Sequence, residues 1–324
     1  MISEHCVINK RDSFIDFLKG IGIILVLIGH IPELNVYVIR LIFSFHMPLF
    51  IALSGIFSTK SLGVGVKKLL LSYSFFAISL SIVYYSIFKN EFSPMYVFKC
   101  IMYGGSAPYR IEASPAMWFL SALIVLKIVT YLINGICNKV YRYIIVISLS
   151  IIGIIANDFL VANNMFVPWN VVIAMMLLPF FYTGKYLMHF CVWIRERIWF
   201  AILIVLFLGP ICVWSAYQNG LVNIFRGQYG ERIWMYYLNG ILGIVLITAF
   251  SSLLFRTVFL KKSMEWIGQN SIVFMCIHQI VYRIIENVID TTDVLLKLTE
   301  FVVAVVVCIL VSKMRNILKR RVAI

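Results

Sequence analysis

Charge is what this sequence has least of. Only 13% of its 324 residues are charged, against roughly a quarter in a soluble domain. Acids are scarcer than bases: 14 Asp and Glu stand against 28 Lys and Arg. No stretch is long or polar enough for a soluble second domain, so one integral-membrane unit is expected over 1–324. Paired cysteines are missing too. The seven cysteines occur singly, with no CxxC, no His/Cys cluster at ligand spacing and no HExxH. That argues against a disulfide framework and against a metal site. No small-x-small cleavage site follows the first apolar run, so the first helix is expected to be retained. No internal repeat is visible, and the Gly and Pro interruptions do not recur in matching positions, which argues against an inverted-repeat transporter.

What is present is apolar. Hydrophobic residues make up 62% of the chain, mean hydropathy is +0.96, and runs of around 20 apolar residues recur throughout. This predicts an all-α, polytopic transmembrane helical bundle. Ten spans are expected at about 14–32, 36–57, 64–88, 115–134, 141–157, 165–188, 198–217, 234–255, 268–289 and 294–313. The positive-inside rule orients them with both termini in the cytoplasm. Lys10, Arg11, Lys60, Lys67, Lys68, Lys139, Arg142, Lys185, Arg195, Arg197, Arg256, Lys261, Lys262, Lys313, Arg315, Lys319, Arg320 and Arg321 then lie inside. Only Lys89, Lys99, Arg110, Arg226 and Arg232 lie outside, with most of the remaining loop acids, including Glu33, Asp158, Asp290 and Asp293. This asymmetry accounts for the net charge of +14 without a nucleic-acid partner; the expected surroundings are a lipid bilayer. The two longest outer segments, about 90–114 and 218–233, are rich in Tyr, Arg, Asn, Gln and Gly, a composition suited to polar, sugar-like ligands.

Ionisable residues inside apolar spans are costly and mark function by default. The first span, FIDFLKGIGIILVLIGH, carries Asp16, Lys19 and His30. Lys19 and His30 are eleven positions apart, so at about 100° per residue they face within about 20° of each other and sit about 16 Å apart along the axis. Asp16 falls on the same side, about 60° from Lys19. The second span holds Arg40, then His46 near mid-membrane, Pro48, which loosens the helix, and Ser54-Gly55 near its inner end. Trp118 stands at the outer start of the fourth span; the ninth opens with Gly268, Asn270 and Ser271 and carries His278 in its middle. Arg283 with Glu286, and Lys297 with Glu300, are spaced to pair structurally. Neutral imidazole is a good general base near neutral pH, and a cation at the cytoplasmic mouth suits a phosphorylated donor. These features alone admit an ion-coupled transporter as readily as an enzyme.

Four blocks carry a resemblance. DFLKGIGIILVLIGH resembles the first-helix pattern of the membrane acyltransferase 3 family, bacterial inner-membrane enzymes that O-acetylate surface carbohydrates. FHMPLFIALSGIF is similar to its second-helix signature, WFLSALIV to its WFL segment, and IGQNSIVFMCIH to its late Gly-x-Asn-Ser to His segment. The blocks run in order from residue 16 to residue 278. Many members carry Arg where this chain has Lys19, which keeps the charge but loses the bidentate fork; an appended esterase-like domain, as in some relatives, is not expected. The resemblance implies acetyl transfer from cytoplasmic acetyl-CoA, a co-substrate, to a hydroxyl of a cell-envelope polysaccharide or lipid-linked glycan. It implies that Lys19, oriented by Asp16, holds the donor phosphates. His30 then acts as general base or acetyl carrier, with His46 and His278 completing the catalytic set. Arg40, Trp118, Ser54, Asn270 and Ser271 are the candidate substrate-binding residues, Arg40 facing an acceptor or stabilising an oxyanion. A polysaccharide exporter or flippase, or succinyl instead of acetyl transfer, remain the alternatives.

Overall fold

The structure, a computed structural model, describes residues 12–57, 62–88, 92–288 and 294–322. Lys10, Arg11, Lys60, Lys89, Asp290 and Asp293 of the predicted charge pattern lie outside these. Twelve α-helices run through the described residues: α1 (Ser13–Gly29), α2 (Val36–Gly55), α3 (Leu62–Phe88), α4 (Pro94–Met102), α5 (Trp118–Asn134), α6 (Lys139–Ala162), α7 (Val171–Arg195), α8 (Ile198–Asn219), α9 (Ile233–Leu254), α10 (Val258–Gln269), α11 (Ser271–Val288) and α12 (Val294–Val322). A two-residue hairpin, β1 (Val222–Asn223) with β2 (Gln228–Tyr229), interrupts the α8–α9 link. The chain is a polytopic helical bundle. Eight of its helices, counting the short 3-10 turns that lead into α5 and α7, are long and apolar enough to cross a membrane.

The bundle is built around α1. Asp12 caps its start by accepting from the Phe14 N–H at 2.8 Å, and its carboxylate takes both guanidinium nitrogens of Arg195 at the end of α7, at 3.3 and 3.2 Å. The helix stops at His30, two residues before Pro32, which disfavours helix in the residue ahead of it. Helices α2, α9, α10, α11 and α12 all touch α1, so its residues are buried on almost every side. Two crossings are set by missing side chains. A Cβ on Gly20 would strike the Met264 carbonyl and one on Gly268 the Asp16 carbonyl, which clamps α10 onto α1. A Cβ on Gly55 or Gly184 would strike the facing backbone where α2 meets α7.

The structure departs from the sequence reading in places. Pro48 does not break α2, which runs unbroken through it; the missing N–H only removes a helical donor to the Ser44 carbonyl. Two short helices, α4 and α10, occupy segments read as loops. The expected pairs also differ. Lys297 reaches Glu33, with Nζ 3.5 Å from Oε2, and not Glu300; Arg283 donates to the Glu112 backbone carbonyl. Glu300 is buried with both carboxylate oxygens unbonded.

The segment 103–117 is tied down over the bundle's end. Asn170, in the left-handed region at φ 53° that Asn tolerates, bonds Gly104 and Ser121 through its amide, while its N–H bonds the Ser106 hydroxyl. Ser121 closes the knot by donating to the Gly104 carbonyl at 2.7 Å.

Candidate active site

The three histidines meet at one end of the bundle. The His30 and His278 rings lie 4.9 Å apart and the His30 and His46 rings 6.4 Å apart, both edge to face. They come from three helices, at the end of α1 and along α2 and α11. Each ring makes the same local bond: Nδ1 lies 2.8 Å from the Val26 carbonyl in His30, 2.9 Å from Ile42 in His46 and 3.0 Å from Phe274 in His278. A carbonyl can only accept, so all three Nδ1 atoms carry the proton and all three Nε2 atoms keep a free lone pair. The Nε2 of His278 is buried with no hydrogen-bond partner. All three imidazoles are thus held in the tautomer that a proton acceptor requires.

His30 and His46 line a cavity of about 360 Å³ together with Phe43, Phe50, Phe119, Trp118 and Gln279. Its rim comes from the two loops singled out in the sequence: Arg110 and Glu112 from one, Val222 to Arg226 from the other. Trp118 and Phe225 stack at 5.9 Å with an 18° interplanar angle. The Ala116 N–H donates to the Gln279 side chain at 2.7 Å, which ties the approach to α5 to α11. The Tyr282 hydroxyl donates to the Leu27 carbonyl at 2.9 Å and fixes α11 against α1.

At the opposite end lies a cavity of about 920 Å³ between the ends of α2, α5, α6 and α7. Lys139, Arg142 and Lys185 line it with Tyr143, Tyr182 and Tyr186, and no carboxylate among the described residues does. The positive-inside pattern puts these cations on the basic side; their convergence on one cavity comes from the fold. Near the same end of α2, Lys19 sits with its ammonium 3.9 Å from Asp16 and 5.1 Å from the centre of the Phe57 ring.

Of the predicted site residues, then, the structure brings together His30, His46, His278 and Trp118. Lys19 and Asp16 pair with each other at the other end of α1. Arg40 leans over the Tyr217 ring at 5.7 Å, its Nε buried without a partner, outside the cavity lining. Ser54 donates to the Phe50 carbonyl within α2. Asn270 sits at the α10–α11 joint, bonded to Trp266 and Asn316, with Ser271 the first residue of α11. The stripe between Lys19 and His30 is closed. Ile23 and Val26 are buried, a Cβ on Gly22 would meet the Phe50 ring at 3.1 Å, and among the described residues the two cavities share no lining residue. Among the described residues no His, Cys, Asp and Glu cluster could hold a metal.

Two curated relatives match short stretches. The nodulation protein NolL of Sinorhizobium fredii is 46% identical over 57 residues, 14% of this chain and 16% of the relative. NolL of Mesorhizobium japonicum is 43% identical over 61 residues, 16% of each chain. The chain thus aligns with about a sixth of the length of either relative. No solved structure matches. The family model described as an acyltransferase domain, by contrast, matches residues 12–313, from the cap of α1 into α12. A match over that length makes this chain a member of the acyltransferase 3 family.

Proposed function

We propose that the whole chain works as one acetyl-CoA-dependent O-acetyltransferase of the bacterial inner (plasma) membrane, acting on a hydroxyl of a cell-envelope polysaccharide or lipid-linked glycan. The observation that carries this reading is the division of labour along the bundle: imidazoles with free Nε2 atoms at one end, and at the other a cavity whose described lining holds Lys139, Arg142 and Lys185 and no carboxylate.

The basic end fits a phosphorylated acyl donor. Lys139, Arg142 and Lys185 offer the charge and the neighbouring tyrosines offer faces for a base; Lys19, steadied by Asp16, guards the inner end of α1. What the donor supplies is an activated thioester carbonyl. At the other end, His30 Nε2 takes the proton of the acceptor hydroxyl as its oxygen bonds to that carbonyl carbon. The carbon–sulfur bond breaks, and the departing sulfur recovers the proton from the imidazolium and leaves as a thiol. His278 and His46 surround this charge change with further acceptors. To reach His30 the donor's arm has to pass the packed stretch formed by Gly22, Ile23, Val26 and the Phe50 ring.

The test is mass spectrometry of envelope glycans from cells with and without the protein. Acetyl esters present only with it are the expected result, and a succinyl increment in their place moves the donor assignment. Glycan of unchanged ester content overturns the reading, and glycan stranded inside cells lacking the protein favours export.

A further inference from the structure

The outer cavity does not end at the histidines. A second cavity of about 390 Å³ opens beside it, lined by Ser106, Asn164 and others, and the two have a common wall: Arg110, Phe225 and Arg226 line both. That wall is cationic. The guanidinium carbon of Arg110 sits over the Phe225 ring, 4.9 Å from its centre, and its Nε is buried without a hydrogen-bond partner. Its backbone carbonyl accepts from Tyr96 and from Cys100, so the position is fixed by packing. Arg226 projects from the facing loop and is exposed. Neither guanidinium has a carboxylate within ion-pair distance among the described residues. Arg283 adds a third cation to the first cavity, and Glu112 is the one carboxylate among its described lining residues.

A buried guanidinium N–H left unbonded costs free energy that a ligand acceptor recovers. A planar guanidinium fork held over an aromatic ring suits an oxyanion with two oxygens, either carboxylate or phosphate. We infer that the acceptor is anionic: Arg110 and Arg226 together bind a carboxylate or phosphate group of the glycan and so present a neighbouring hydroxyl to the histidines. This rests on the acyltransfer reading above and adds to it the charge class of the acceptor and the two residues that select it.

Binding is the direct test, because it does not depend on turnover. The full chain in nanodiscs is titrated with three matched probes: an octyl glucoside, an octyl glucuronide, and a glucose phosphodiester bearing an octyl chain. Binding is followed by tryptophan fluorescence. The expected result is that at least one anionic probe binds about tenfold more tightly than the neutral one. That preference falls towards unity in Arg226→Gln, an exposed site where folding is not at issue, and in Arg110→Gln. Preference for the glucuronide identifies a sugar carboxylate, preference for the phosphodiester a phosphate linkage. Equal affinity for all three probes overturns the inference, as does a charge preference that survives both substitutions. Acetyl transfer to the same probes is scored separately. Charge-selective binding with no transfer to any alcohol removes the acyltransfer reading and leaves the anion site standing.

Discussion

At the scale of single residues, the site depends on one repeated device: an imidazole whose Nδ1 is tied to the carbonyl four residues back. The device matters because it settles the tautomer. A histidine free to choose would present Nδ1 or Nε2 with similar ease, whereas these three present only Nε2 to their surroundings. Replacing His30 by Ala removes the acceptor nearest both other rings. We expect acyl transfer to fall by about 10²- to 10⁴-fold, the usual range for losing a general base, with helix content by circular dichroism unchanged. Full activity in that variant removes His30 from the mechanism. At the other end, Lys19→Ala takes away a cation. The expected change is a higher KM for acetyl-CoA with kcat little altered, and an unchanged KM contradicts a role in holding phosphate. The histidines were legible in the sequence because each is a costly polar residue in an otherwise apolar span. Arg110 and Arg226 were not legible, because a charged residue in an outer loop looks like any other until the loops are seen to close over the same cavity.

Among the helices, α1 occupies an unusual position. Its 17 residues give a length of about 25 Å, less than the roughly 30 Å hydrocarbon core of a bilayer. The shortfall is harmless because α1 is wrapped by protein and need not match lipid thickness. What it must match is α10, whose backbone it meets at Gly20 and Gly268. Gly20→Val would push a branched side chain into the Met264 carbonyl. We expect a loss of folded protein on detergent extraction, read as a lower thermal midpoint, and normal stability would show that α10 can shift. A milder change is available at the cap. Asp12→Ala removes both the N-cap bond and the Arg195 partner, with an expected cost of about 1–2 kcal/mol. Eight helices could be read from hydropathy because each is an apolar run long enough to cross a membrane; α1, an apolar run of 17 residues, and α12 were legible as helices though neither is among those eight. Helix α10 could not, since VFLKKSMEWIGQ is amphipathic and carries Lys261, Lys262 and Glu265, which on a hydropathy scale resembles a connecting loop. Helix α4 escaped for a related reason, being nine residues in a segment full of turn formers.

For the whole molecule, orientation is the property to test, and the cysteines offer the means. Cys137, in the turn between α5 and α6, is exposed, while Cys100, Cys191, Cys212, Cys276 and Cys308 are buried. Burial also pushes the Cys100 thiol, on the opposite loop, up to about 11, so it stays protonated and unreactive at pH 7–8, where thiolates are the attacking species. In a Cys6→Ser background, an impermeant maleimide should label Cys137 in inverted vesicles and not in intact cells. Labelling of intact cells would turn the bundle over and put the histidines on the cytoplasmic side. The closed stripe between the two cavities has an electrical consequence as well. A thread of water lined by imidazoles would pass protons down the membrane potential, each charge releasing about 2.3 kcal/mol per 100 mV. With the Phe50 ring seated against Gly22, the resting bundle can keep a proton-accepting chamber inside hydrocarbon and still act as an insulator, so Phe50→Ala should make vesicles containing the protein leak protons.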